Sequence, residues 1–349
     1  MVYLEHIDTS KAIIIHAIKC VAKMKLMIKN IFMLLVAIVL LTSCNSGSKT
    51  PVTTSTSGTI TLMCDNSFEN IMQQEIDVFE FQYPKAHILA RYLPQNDVID
   101  SLMQFKTRAI VAARDLTKQE KDYLRKNKRA VRSKMIAVDA LALIVNPENT
   151  IEMISRKEIG DILTGKLTNW NEVEPSKVGD IKIVFDNENS STVQYMRDSL
   201  MNGEAFGKNV YAQGSIEGVF QAVKNSKNAI GVIGVSWITS DMRNSEVSTE
   251  EMVAELNDDK GVNMAEFDGT VKVLKVMGNT REAYKPYQQY IYDGRYPLFR
   301  QIYMIIASAG GSLEHGFFSF VTSFNGQKLI MKTGVMPAVM HPQVVQLGE

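Results

Sequence analysis

Two short stretches of this chain carry the residue types that hold a small anion. Asp65-Asn66-Ser67 and Asp186-Asn187-Glu188-Asn189-Ser190-Ser191-Thr192 each follow a strand-like apolar run and precede a helix-like one. A helix start presents unpaired N–H groups and the positive end of its peptide dipoles, so it holds an oxyanion without a formal charge. Ser and Thr hydroxyls add donors at the same spot. Asn and Ser are also ordinary helix caps. Either stretch alone reads as a cap, and the two together point to a ligand. A third strand-like run ends at Ala112-Ala113-Arg114-Asp115. Arg114 there could grip an oxyanion with two parallel hydrogen bonds. Its plainer alternative is an ion pair with Asp115 or Glu120.

Templates for catalysis do not fit. The chain has no G-x-S-x-G, no H-E-x-x-H and no G-x-x-x-x-G-K-[ST]. Ser190 has no His near it in sequence, and the acidic residues form no distinctive pair. The expectation is therefore capture rather than reaction, with no enzyme activity and no cofactor. No Cys and His group has zinc spacing, so no metal site is expected. His87, His315 and His341 are far apart and read as structural or surface residues. Cys64 closes the apolar run Ile60–Cys64 and reads as a buried thiol.

Alternating strand and helix periodicities position these stretches. Thr59–Cys64 reads as a strand and Phe68–Phe81 as a helix stopped by Pro84. His87–Tyr92 and Ala109–Ala113 read as strands, with an Asp97–Lys106 helix between them. Thr117 with Glu120 and Ser155 with Glu158 are capping boxes, the second stapled by Ile154 and Ile159 and closed by Gly165. Val138–Val145, Ile181–Phe185, Ala229–Val235 and Arg300–Ala307 read as strands. Val193, Met196 and Leu200 mark a helix, Ile216–Val223 another, and Phe317–Phe324 a late apolar one. Such alternation implies an α/β fold of mostly parallel sheets flanked by helices. Ligands then sit beyond the carboxyl ends of strands.

Before this body comes an export pattern. Lys23, Lys25 and Lys29 precede the apolar run Ile31–Leu41, which leads into Leu41-Thr42-Ser43-Cys44. The run has eleven residues, short of the roughly 20 that a membrane span needs. Leu41–Cys44 resembles a bacterial lipobox. By that resemblance residues 1–43 are a signal peptide and Cys44 takes a diacylglycerol after cleavage. Met24–Cys44 is a complete signal, so residues 1–23 are expected to be an overlong start. Residues 45–58 are small, polar and nearly uncharged, which suits a flexible tether; the lipidated N-terminus and tether are taken as residues 44–57. The first 44 residues hold five Lys and two acidic residues, leaving 33 basic and 36 acidic after them. This near balance, with no basic run, argues against a nucleic-acid partner.

Ala140-Leu-Ala-Leu-Ile-Val-Asn-Pro147 and Ile159-Gly-Asp-Ile-Leu-Thr-Gly-Lys-Leu-Thr-Asn-Trp170 resemble the periplasmic phosphate-binding proteins of ABC transporters, the PstS-like family. Asn189–Thr192, Asn228-Ala-Ile-Gly231, Tyr296–Tyr303 and Phe317–Gly334 agree. The resemblance implies a two-lobed α/β periplasmic-binding-protein fold, each lobe a mostly parallel sheet flanked by helices, joined by a two-crossover hinge. It assigns 58–138 plus 298–345 to lobe 1 and 139–297 to lobe 2. It implies phosphate or a similar oxyanion in the cleft, an inner-membrane ABC permease as partner, a monomer, and a lipid-anchored place on the periplasmic side of a bacterial membrane. Carried over, the ligand-binding set is Asn66, Ser67, Asn96, Arg114, Asn189, Ser190, Ser191 and Thr192, with Gln95 beside the second contact loop. Two departures stand out. Ser191 replaces the Gly of the family's Ser-Gly-Thr loop, and no Arg lies near Asp186. Arg114 is then the only obvious charge available to an anion. The alternative is a surface or periplasmic lipoprotein that keeps the fold and binds a protein or glycan partner.

Overall fold

The computed structural model describes residues 23, 24, 27, 53–239, 248–256, 267 and 269–339. Cys44 and the signal-like run lie outside them, as does His341. Thr53–Glu349 forms one compact unit. Its strands are β1 (Ser57–Asp65), β2 (Lys85–Leu93), β3 (Ala109–Ala112), β4 (Arg132–Val145), β5 (Met153–Ser155), β6 (Lys182–Phe185), β7 (Val210–Ala212), β8 (Ala229–Gly234), β9 (Lys272–Val273), β10 (Lys275–Met277), β11 (Ala283–Tyr284), β12 (Phe299–Ile306) and β13 (Met336–Pro337). Its helices are α1 (Glu69–Gln82), α2 (Gln95–Met103), α3 (Lys118–Lys126), α4 (Arg156–Leu163), α5 (Ser191–Leu200), α6 (Ile216–Asn225), α7 (Thr249–Leu256), α8 (Gln288–Tyr292), α9 (Leu313–Val321) and α10 (Phe324–Lys332).

Ten strands form one sheet in the order β2-β1-β3-β12-β4-β8-β6-β7, with β13 and β9 also on β4. The outer strands are parallel, as expected: β1 with β2 and β3, and β6 with β7 and β8. The centre is antiparallel. There β12 runs against β3 and β4, and β4 against β8. A parallel pair needs a long crossover, whereas β4 and β12 cross from one half of the sheet to the other and so run opposite their neighbours. The sheet is thus two parallel wings joined by two crossing strands, the α/β architecture expected.

β4 is the axis of this arrangement. Eight of its first nine residues pair with β12, Ile136 being skipped at a register shift, and its last five pair with β8. Ile136–Val145 is buried at every position, because the strand is covered on both faces. The sequence pattern predicts only its second half, since Arg132, Ser133 and Lys134 interrupt the apolar run.

Local signals fix most other boundaries. Both capping boxes form: Thr117 accepts from the Glu120 amide and Ser155 from the Glu158 amide, with both Glu side chains reaching back. Gly165 follows α4 at φ +73°, the left-handed C′ position expected of it. One boundary differs. Phe317–Phe324 is not one helix. It is split at Thr322-Ser323, where the Ser323 hydroxyl caps α10 through the Gly326 amide.

Candidate functional site

β1 ends at Asp65, which accepts the Ser67 amide at 2.9 Å and so turns the chain into a short 3-10 helix, Asn66–Phe68, ahead of α1. β6 ends at Phe185, and Ser190 caps α5 by accepting the Val193 amide at 3.3 Å. The two starts come from opposite wings of the sheet and meet: the Ser67 and Ser191 hydroxyls are 3.3 Å apart. Ser67, Ser190, Ser191 and Thr192 are all buried. The two helix starts therefore converge, and it is Ser191 rather than Ser190 that faces Ser67.

Flanking bonds hold the wings in register. Gln95 donates to Gln194 at 3.0 Å and accepts the Ala113 amide at 2.8 Å. The Trp237 indole donates to the Ser67 carbonyl at 3.0 Å. Asn70 donates to the Ser236 carbonyl at 2.9 Å and accepts from the Ser236 hydroxyl at 3.2 Å.

The charge in this cluster comes from an unexpected residue. Arg300, on β12, is 4% exposed. Its Nη1 donates to Ser191 Oγ at 2.6 Å and Thr192 Oγ1 at 3.2 Å. Its Nε and Nη2 donate to Asp139 Oδ2 at 3.1 and 3.0 Å. Asp139 is the residue opposite Arg300 in the β4–β12 register. The guanidinium also lies 4.8 Å from the centre of the buried Phe68 ring. Asp139 accepts the Val235 amide at 3.3 Å as well, and a Cβ on Gly234 would stand 3.0 Å from its carboxylate, so a side chain there would crowd the carboxylate. Burial pushes the Asp139 carboxyl up, and the Arg300 charge and hydrogen bonds pull it partway back.

Two more carboxylates are buried beside this pair. Asp65 Oδ2 has no hydrogen-bond partner, and neither oxygen of Asp186 has one. Burial pushes Asp186 up, while the Ser190 hydroxyl, the Asn187 amide and the Arg300 charge act in the opposite sense. The Asn66 Oδ1 is also buried without a partner.

Several expected site residues fall elsewhere. Arg114 does not reach the cluster. Its two Nη groups clasp the Glu120 carboxylate at 2.9 and 2.8 Å, and Nη1 donates to the Asp115 carbonyl. Its side chain is 35% exposed. Of its two sequence readings, the ion pair is the one that forms, because the capping box already fixes Glu120 at the start of α3. The arginine within the cluster is thus Arg300 and not Arg114. Asn96 is exposed in the first turn of α2, and its neighbour Gln95 points inward instead. Asn189 is exposed, with its amide turned to Asn187 Oδ1. Cys64 is buried with its Sγ on the Asp65 carbonyl, and burial pushes the thiol up, which keeps it un-ionised. Among the described residues no group of three or more His, Cys, Asp or Glu could hold a metal.

A signal for the missed pair does exist. Asp139 is the single charge inside the buried run Ile136–Val145, and Arg300 stands near the start of another apolar strand. A charge at such a position must be paired. Two opposite charges of this kind in one chain are candidates for each other.

Comparison with known proteins gives the following. A family model described as a PBP superfamily domain matches residues 49–325. The phosphate-binding protein PstS of Pseudomonas aeruginosa is 23% identical over 231 residues, which cover 61% of this chain and 63% of that one. Protein SphX of Synechococcus elongatus is 23% identical over 234 residues, 65% of this chain and 61% of its own. The chain therefore spans under two thirds of the length of these relatives. A structure from Clostridium perfringens solved with bound phosphate superposes with a TM-score of 0.61 at 21% identity, covering 80% of this chain and 99% of that one. An ABC-type phosphate transport receptor from Vibrio cholerae gives 0.56 at 20% identity, covering 80% and 100%. At these identities the structures speak for the fold.

Proposed function

The chain belongs to the PBP superfamily, and on that premise we propose that it is a substrate-binding protein that captures phosphate or a similar oxyanion and hands it to an inner-membrane ABC permease. The observation that carries this reading is the meeting of Ser67, Ser191 and Thr192 with the buried guanidinium of Arg300. Two helix starts, three hydroxyls and one fixed cation make a donor-rich cluster of the kind that could replace an ion's water shell. Its mechanism is capture. No bond in the ligand is made or broken.

In this reading Ser67, Ser191, Thr192 and Arg300 hold the anion, Ser190 shapes the loop, and Asp139 aims the guanidinium. The wings 58–138 plus 298–345 and 139–297 act as two lobes, with β4 and β12 as the hinge crossings. Cys44 is the lipid attachment, which places the protein on the periplasmic side of a bacterial membrane. The names of the relatives support phosphate as cargo. The alternative role of binding a protein or glycan drew on the lack of an Arg near Asp186, and Arg300 supplies a cation beside that loop.

Thermal melting tests the reading. A ligand bound only by the folded state raises the midpoint with concentration. Phosphate at millimolar levels is expected to raise it, and no rise rejects phosphate as cargo.

A further inference from the structure

The buried cluster is unbalanced in charge. Among the described residues, Arg300 and Lys328 are the only buried cationic side chains, and Lys328 donates to the Leu256 carbonyl. Against Arg300 stand three buried carboxylates, Asp65, Asp139 and Asp186. They are not equivalent. Asp139 is committed to Arg300 and the Val235 amide. Asp65 spends one oxygen on the Ser67 amide. Asp186 has both oxygens buried, and the approaches of the Ser190 hydroxyl and the Asn187 amide to them fall short of hydrogen-bond geometry. It opens the loop whose Ser191 and Thr192 contact Arg300. The groups that act on it are the Asn187 amide and Ser190 hydroxyl from its own loop, Arg300 from β12 and Asp65 from β1, with Asp139 of β4 sharing the same guanidinium.

An arriving anion worsens this imbalance. Its charge enters a low-dielectric space that already holds more carboxylates than cations, and like charges there disfavour joint ionisation. The least satisfied carboxylate gives way first. We propose that anion capture at this site is coupled to uptake of one proton by Asp186, so that the oxyanion and a proton enter together. The proton comes from bulk water and ends on an Asp186 carboxyl oxygen. The carboxyl then has an O–H to donate toward the ligand, where before it offered only acceptors. This inference rests on the anion-capture reading. Burial already favours the neutral carboxyl, which lowers the cost of the step.

Calorimetric titration of the mature chain with inorganic phosphate, in buffers of different ionisation heat, counts protons taken up per phosphate. Phosphate's own protonation contributes equally to wild type and to Asp186→Asn. Across the neutral range wild type is expected to take up as much as one proton more than the variant. Its affinity is expected to fall more steeply with rising pH, by up to about tenfold more per pH unit. Equal uptake by both overturns the coupling. Should the variant not fold, the infrared difference spectrum of wild type on adding phosphate decides. A gained protonated-carboxyl stretch supports the step, and its absence overturns it. If wild type binds no phosphate, phosphate falls as cargo and this inference with it. Binding with equal uptake removes the inference alone.

Discussion

Two arginines in this molecule each clasp one carboxylate, and they are different devices. Arg114 meets Glu120 in a half-exposed pair at the start of α3. Arg300 meets Asp139 in a pair with both side chains at 3% exposure or less. The first sits where water screens it and contributes little to stability. It holds Glu120 below the usual carboxylate range, chiefly through its own hydrogen bonds, and so steadies a helix cap. The second sits where removing either partner strands a buried charge. Arg300 has a further property that Arg114 lacks: Nη1 is spent on two hydroxyls, not on the carboxylate. Those hydroxyls can turn toward a ligand, leaving a positive edge free to follow. Burial and the identity of the neighbours, more than residue type, separate these two arginines.

The largest contrast between the two is in folding stability. Arg300→Met is expected to lose about 3–5 kcal/mol in urea unfolding, because Asp139 is left buried and unpaired. Adding Asp139→Asn to it is expected to recover most of the loss. Arg114→Met is expected to change stability by no more than about 1 kcal/mol. Equal losses in the two single variants would erase the distinction.

A smaller effect separates the hydroxyls from the guanidinium they face. Ser191→Ala removes one donor to a charged ligand, which is worth about 1.5–3 kcal/mol, or roughly ten- to hundredfold in phosphate affinity. Asn189→Ala, at an exposed position of the same loop, is expected to leave that affinity within about twofold, a change of about 0.4 kcal/mol. A reversal of that order in direct titration would move the site toward the loop surface.

Smaller again is the consequence of a buried acid outside this cluster. Glu75 on α1 is fully buried, neither oxygen has a hydrogen-bond partner, and burial pushes its carboxyl well up. The folded state therefore holds a proton that the unfolded chain releases near pH 4.3. Stability from this group is intact below that pH and is lost as pH rises through the folded value. Glu75→Gln is expected to melt higher than wild type at neutral pH, by about 2 °C or more, and to match it near pH 4. A constant difference at all pH values would mean that Glu75 is not the titrating group.

Much of the fold was legible because its signals are local. Thr117 and Glu120, Ser155 and Glu158, and Gly165 each set a helix boundary through neighbours within a few residues. Ser67, Ser190, Ser191 and Thr192 were legible for the same reason, since a strand end followed by a cap is a local pattern. Arg300 was not. Its partners lie 108 or more residues away in sequence and are brought near by the β4–β12 register, which a single chain's periodicity does not reveal. Arg114 drew attention by standing beside the third strand, yet Glu120, six residues on, already claimed it. The first half of β4 was missed because charged residues mask a strand that is half solvated before it enters the core.

The claim that ties these observations together is that the guanidinium on β12 is the cation of an oxyanion site. Titrating wild type, Arg300→Gln and Arg114→Gln with inorganic phosphate, each checked for folding by circular dichroism, tests it most directly. The expected result is wild-type affinity in Arg114→Gln and no measurable binding in folded Arg300→Gln. Undiminished binding in Arg300→Gln, or its loss in Arg114→Gln, would contradict the account.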